Sequence, residues 1–355
     1  MFCLSAYLFV LLPGFLFPAH VRYNVAEYSI FTGGERMNGR LTDLIDKLGL
    51  VVDDGSMPTE LEALGCDLND ALWSARVLMD EPNLIKQVHR EYFEAGADIG
   101  MSASYQATIP GFMKRGRTLD EAEALIKSSV TLLLEARDEW WSASRTGREY
   151  PLAAAAVGPY GAYLADGSEY RGNYELSAGE LAEFHRRRME LLKEAGADCF
   201  AIETIPSLAE ARVLAGLADE LDLDCWVTFS CRNGFENCEG TPVADCAREM
   251  TKFKSVCAVG VNCTAPVYIE NLIKEIRAVC RLPMIVYPNS GEEYDPATKT
   301  WHGAKDGLSH ADYVRKWIAA GARVIGGCCR TRPADVREIY EIVKEVRNVK
   351  SKSKC

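Results

Sequence analysis

Eight short apolar runs, separated by longer stretches of helical periodicity, constrain this 355-residue chain more than any other feature. They are "GLVVDDG" (49–55), "ADIGMSAS" (97–104), "PLAAAAVGP" (151–159), "DCFAIET" (198–204), "CWVTFSC" (225–231), "AVGVNC" (258–263), "PMIVYPN" (283–289) and "ARVIGGCC" (322–329). Runs with little polar alternation suit strands buried on both faces, as in parallel sheets. The segments between them, such as "DEAEALIKSSVTLLLEARDEW" (120–140) and "SAGELAEFHRRRMELLKEAG" (177–196), place apolar residues at helical spacing. Both start near an Asp or Ser suited to cap a helix. Three runs follow nearly the same phrase: "YFEAGADIG", "LLKEAGADCF" and "WIAAGARVIG". There Gly96, Gly196 and Gly321 fit a left-handed position just past a helix end. Eight such units predict a single-domain α/β fold, a (β/α)8 TIM barrel. A doubly wound sheet is the runner-up, weakened because no G-x-G-x-x-G follows the first strand.

The hydrophobic share of 48% and charged share of 26% are ordinary for a globular protein and allow one large core. A net charge of −11 argues against a nucleic-acid partner. Thirteen cysteines in a chain this long need not staple it, and most are expected reduced, packed as small hydrophobes. The run "FCLSAYLFVLLPGFLFP" (2–18) approaches the length of a signal peptide or short anchor. It has no basic start, and Pro13, Gly14 and Pro18 interrupt it. Residues 1–36 are therefore read as an extension outside the fold, 37–348 as the barrel and 349–355 as a basic tail. No membrane role is expected of the barrel, and the expected compartment is the cytoplasm.

A barrel of this kind carries its chemistry at the C-terminal ends of its strands. Strand one ends in Asp53-Asp54-Gly55, strand two in "SASYQAT" and strand four in Glu203-Thr204. Strand six ends in Asn262-Cys263-Thr264, strand seven in "YPNSGE" and strand eight in Gly327-Cys328-Cys329. The pair Cys328-Cys329 alone fits zinc, vicinal redox chemistry or packing equally well. Strands six and eight flank strand seven, so Cys263 could join the pair on one Zn²⁺ and leave a tetrahedral position open, the mark of a catalytic site. Neighbours in a regular strand point to opposite faces. Both sulfurs reach one ion only where the strand turns, and Gly326-Gly327 are read as permitting that turn. His89 and His185 sit in helical stretches, and His302 and His310 lie in the long segment after strand seven, where a lid over substrate is conceivable.

Together these residues resemble the homocysteine S-methyltransferase family. The matching stretches are "DDGSMPTELEALG", "SASYQAT", "VGPYGAYLADGSEYRGNY", "ETIP", "GVNC", "VYPNSGEEYD" and "GGCCRT", spread over nearly the whole barrel. The "GPYGAYLADGSEY" and "YPNSGE" segments look like the branch that uses S-methylmethionine as donor, more than the branch that uses betaine. One departure is Ser56, where the family usually has a second glycine after the aspartate. The resemblance implies Cys263, Cys328 and Cys329 as ligands of one Zn²⁺. It implies that Asp54 and Glu203 hold the ammonium of L-homocysteine and that the amides of Gly55 and Ser56 receive its carboxylate. Gln106, Tyr105, Asn262 and Asn289 would line the same end.

The implied reaction is methyl transfer from a sulfonium donor, S-methylmethionine or S-adenosylmethionine, to the homocysteine thiolate, giving methionine; selenohomocysteine is a possible second acceptor. Tyr160, Tyr163, Tyr170 and Trp301 would either face the sulfonium through cation–π contact or serve as loop packing. Two other classes compete: a vicinal-dithiol oxidoreductase using Cys328 and Cys329, and a secreted or anchored binding protein motivated by residues 2–18.

Overall fold

The computed structural model describes residues 39–68, 73–144, 147–295, 300–302 and 310–352. The extension 1–36 lies outside them. Eight parallel strands form the barrel: β1 (Val51–Val52), β2 (Ile99–Met101), β3 (Leu152–Val157), β4 (Cys199–Ile205), β5 (Cys225–Phe229), β6 (Val256–Asn262), β7 (Met284–Tyr287) and, after a small antiparallel hairpin of β8 (Glu293–Asp295) and β9 (Thr300–His302), β10 (Ala322–Ile325). Their order is β1-β10-β7-β6-β5-β4-β3-β2, so β6 and β10 flank β7 as the sequence predicts. The expected α/β barrel is thus the observed architecture.

Alternation along each strand builds two cores. Outward residues such as Val52, Val157, Phe200, Val259 and Val286 pack under the helices. Inward residues such as Val51, Leu152, Ala154, Ala201, Trp226, Ile285 and Val324 fill the barrel. The first helix, Arg40–Leu48, adds Leu41, Leu44 and Ile45 to this inner cluster. Gly39 at its start lies against Asp224, which precedes β5, so the helix closes the N-terminal mouth. Polar chemistry is thereby confined to the opposite end.

The seam between β1 and β2 is joined largely by side chains. Asp98 N–H donates to Val52 O (2.7 Å), while Val52 N–H donates to Asp98 Oδ2 (3.0 Å). Met101 N–H donates to Asp54 Oδ2 (2.8 Å), which ties a residue at the mouth into the closure. Asp98 is anchored in turn by Arg347 Nη2 at 2.6 Å.

The three repeated glycines do what their phrase implies: φ is 124° at Gly96, 96° at Gly196 and 118° at Gly321. The helix Ala178–Glu194 starts with a capping box between Ser177 and Glu180. The helix Leu119–Ser144 starts with Thr118 instead of an Asp or Ser: Glu121 N–H donates to Thr118 Oγ1 (3.3 Å), and Thr118 N–H to Glu121 Oε2 (2.8 Å). The last helix, Pro333–Lys352, has proline at its first position and continues past residue 348. Among the described residues, no helix is long and apolar enough to cross a membrane.

Candidate metal centre and substrate pocket

Cys263 leaves the end of β6 with φ at 44°, in the left-handed region, its N–H bonded to Tyr287 O (3.1 Å). The next residue, Thr264, returns its hydroxyl to Asn262 O (2.9 Å). Cys328 and Cys329 sit in a tight turn after β10. Cys328 N–H donates to Pro288 O (2.8 Å), Thr331 N–H to Cys328 O (3.0 Å), and Arg330 takes φ 69°. The turn therefore comes after the glycines. Gly326 and Gly327 are not in the left-handed region and do not act by bending the strand. Their role is close approach: a Cβ on Gly326 would stand 2.7 Å from Asp53 Cβ, and one on Gly327 would stand 2.3 Å from Thr331 Oγ1.

The three sulfurs converge. Cys263 Sγ is 3.4 Å from Cys329 Sγ, Cys328 Sγ is 4.0 Å from Cys329 Sγ, and all three lie within 4.8 Å of one another. Tetrahedral zinc with bonds of about 2.3 Å separates its sulfurs by about 3.8 Å, so the set fits such an ion. Among the described residues no His, Asp or Glu joins the group, which leaves one position for a ligand from outside. Hydrogen bonds from Cys328, Cys329 and the Tyr170 hydroxyl hold the Cys263 thiol well below its ordinary range. Tyr170 Oη stands 3.1 Å from Cys263 Sγ. The cluster thus favours a shared negative charge even before a cation arrives.

Beside it lies a buried acidic pocket. Asp53, Asp54 and Glu203 are 0%, 2% and 7% exposed, far below what carboxylates normally tolerate. Asp54 Oδ1 and both carboxyl oxygens of Asp53 have no hydrogen-bond partner. Burial pushes Asp53 up to about 7 and Glu203 up to about 8, the latter helped by the charges of Asp53 and Cys263. Asp54 is raised well above the carboxylate range by burial and by Asp53. Orphaned acids of this kind are satisfied by a cation, and an ammonium suits them. Tyr287 counters the rise of Glu203; its hydroxyl accepts from Trp226 Nε1–H (3.0 Å) and shares a bond with Thr228 Oγ1 (2.8 Å).

The other expected residues take different places. Asn262 divides its amide between strand four and the metal cluster: Thr204 N–H donates to Asn262 Oδ1 (2.7 Å), and Asn262 Nδ2 donates to Thr204 Oγ1 (2.7 Å) and to Cys328 Sγ (4.0 Å). That clamp holds Thr204 at φ 59° directly after Glu203. Gln106 Nε2 donates to Ala162 O (3.0 Å), while its Oε1 stays buried without a partner. Ser56 Oγ caps the short helix Met57–Ala63, and its N–H donates to Thr331 O (3.2 Å). Gly55 leaves room for the Tyr92 ring. Asn289 Oδ1 accepts from Gly291 N–H (2.9 Å).

Of the aromatic candidates among the described residues, Tyr170 is the one whose hydroxyl meets the metal cluster. Tyr160 and Tyr163 pack on Phe184. Tyr105 covers Gly158. The side chains of Trp301 and His302 lie outside the described residues, and His310 meets Trp317 edge-on at 5.9 Å. His89 is buried, pushed down to about 3, and so neutral. His185 Nε2 pairs with Glu210 Oε1 (2.9 Å) behind the 158–160 loop, where Tyr160 N–H donates to the same oxygen (2.6 Å). Sequence reasoning missed Glu169, a neighbour of Tyr170 in the "GSEY" motif that it quoted.

A profile of homocysteine S-methyltransferase matches residues 51–343. Homocysteine S-methyltransferase YbgG of Bacillus subtilis is 53% identical over 299 residues, 83% of this chain and 95% of the relative. The homocysteine S-methyltransferase of Escherichia coli is 45% identical over 301 residues, 84% of this chain and 97% of the relative. The crystal structure of the E. coli homocysteine methyltransferase MmuM in its metallated form superposes with a TM-score of 0.77 at 42% identity, covering 85% of this chain and 99% of that one. The chain belongs to the homocysteine S-methyltransferase family.

Proposed function

We propose that the chain transfers a methyl group from a sulfonium donor, S-methylmethionine first and S-adenosylmethionine second, to L-homocysteine on one Zn²⁺ held by Cys263, Cys328 and Cys329. The observation that carries this reading is the convergence of three sulfurs within 4.8 Å, with no fourth protein ligand among the described residues. Zinc bound there would keep the acceptor thiol deprotonated and nucleophilic at neutral pH. Asp54 and Glu203 would hold the substrate ammonium, which offsets the cost of their burial. The Asn262–Thr204 clamp would keep Glu203 in place. Once both reactants are bound, alignment and exclusion of water are the protein's main contributions, and no side chain needs to accept a proton at the transfer step. A cytoplasmic setting suits the eleven cysteines of the described residues, all of them free. The dithiol alternative is disfavoured because Cys329 lies nearer to Cys263 than to its own neighbour.

The test is methyl transfer to homocysteine from each sulfonium, before and after chelation, with metal counted in the purified protein. About one zinc per chain and activity lost on chelation and restored by zinc are expected. Metal-free protein with intact thiols and undiminished transfer would overturn the reading.

A further inference from the structure

Glu169 is a half-buried acid for which the acceptor side of the reaction has no use. It lies in the 3-10 turn Ser168–Tyr170, one residue before the tyrosine that touches Cys263. Its Oε2 is buried and has no hydrogen-bond partner. The turn is built rigidly: Ser230 Oγ donates to Glu169 O (3.2 Å), Ser168 N–H donates to Asp166 Oδ1 (2.9 Å), and a Cβ on Gly161 would stand 2.5 Å from Glu169 N. The adjoining Tyr170 hydroxyl stands 3.1 Å from Cys263 Sγ, so the turn brings Glu169 to the edge of the cysteine cluster. The cation in this turn, Arg171, is turned outward onto Asp166 (3.3 Å) and is 63% exposed.

A buried carboxylate oxygen without a donor is costly and persists where a ligand meets it. The turn that carries it ends in Tyr170, whose hydroxyl meets the cysteine cluster, and a setting of ring and sulfur favours a cation that does not donate hydrogen bonds. An ammonium would demand acceptors on several sides; a sulfonium demands only negative potential and π faces. We propose that Glu169 recognises the positive charge of the methyl donor, placing its dialkyl methylsulfonium beside the cysteine cluster and discriminating against neutral or anionic donors. The proposal rests on the sulfonium reading above.

The chemistry fixes which kinetic constant should move. The acceptor sulfur supplies the electron pair of the new S–CH₃ bond. The old C–S bond breaks, and its pair stays on the donor sulfur, which leaves as a neutral thioether. Positive charge therefore disappears along the reaction. A neighbouring carboxylate stabilises the bound donor at least as much as the transition state, so its removal raises the donor KM without lowering the rate of the bound complex.

The experiment is steady-state kinetics with S-methylmethionine on wild type, Glu169→Gln and Glu169→Asp, with methionine inhibition, zinc content and the homocysteine KM measured alongside. Expected for Glu169→Gln is a donor KM raised about 10- to 100-fold, the usual loss for a charge-assisted contact. Its kcat should stay within about threefold, and the methionine Ki, homocysteine KM and zinc content should not change. Glu169→Asp should recover part of the donor affinity. An unchanged donor KM in Glu169→Gln, with wild-type transfer intact, overturns the role of Glu169 alone. Equal weakening of methionine and S-methylmethionine would show a purely structural role and also overturn it. Absence of transfer from any sulfonium by the wild type overturns the sulfonium reading and this role with it.

Discussion

Asp53→Asn should stabilise the substrate-free protein increasingly as pH rises from about 4 to about 7. Asp53 is fully buried inside the barrel, neither carboxyl oxygen has a partner, and burial raises it from 3.8 to about 7. A raised carboxyl is at its best when protonated. Its contribution is intact below the unfolded value near 3.8, falls as pH rises, and is fully lost above about 7. Three units at about 1.36 kcal/mol each make the ionised form about 4 kcal/mol worse in the fold than in the open chain. Asparagine keeps the shape and removes the charge, and it also relieves Asp54 and Glu203, both raised by Asp53. Urea unfolding of both proteins from pH 4 to pH 8 measures this. The curves should nearly meet at pH 4 and separate steadily, with the variant about 4 kcal/mol more stable by pH 8. A constant offset across that range, or a gap that widens toward acid, would refute the reasoning, because it would report packing and not charge.

Three further outcomes are expected. Cys263→Ala removes one of three ligands and should lose both bound zinc and more than about 100-fold of activity, read by metal analysis and methionine formation, since even outer contacts of a metal site are worth 10- to 100-fold. Asp54→Asn should raise the homocysteine KM about 10- to 100-fold and leave the donor KM alone, as expected for loss of one charged contact. Gly260→Ala places a Cβ 1.7 Å from Ile285 O and should cost about 3 kcal/mol or more, whereas Gly216→Ala, with a neighbour no closer than 3.9 Å inside the helix Leu208–Leu221, should gain up to about 1 kcal/mol, both read from urea unfolding.

The barrel was legible because burial on both faces leaves apolar runs whose spacing needs no coordinates, and because Gly96, Gly196 and Gly321 mark the helix ends by backbone conformation alone. The cysteine set was legible for a related reason. Strand ends are known from the runs, and adjacency around a closed sheet follows from strand order, so Cys263 and Cys328-Cys329 had to meet at one end. Asp54 and Glu203 came with the same strand ends.

What the sequence could not decide is where each polar side chain spends its hydrogen bonds. Asn262, Gln106 and Ser56 lie at the right end, yet much of their hydrogen bonding goes to Thr204, Ala162 and the helix Met57–Ala63. Asp53 and Asp54 are neighbours of the same type, but one oxygen of Asp54 closes the β1–β2 seam while Asp53 is left without a partner. The period of two that orders side chains within a strand lapses where the strand ends. There direction is set by contacts between distant segments, such as the Asn262–Thr204 clamp and the turn at Arg330. The order of the chain determined which residues could meet; only the packing of those segments decided that three sulfurs share one point and that one oxygen of Glu169 is left without a partner.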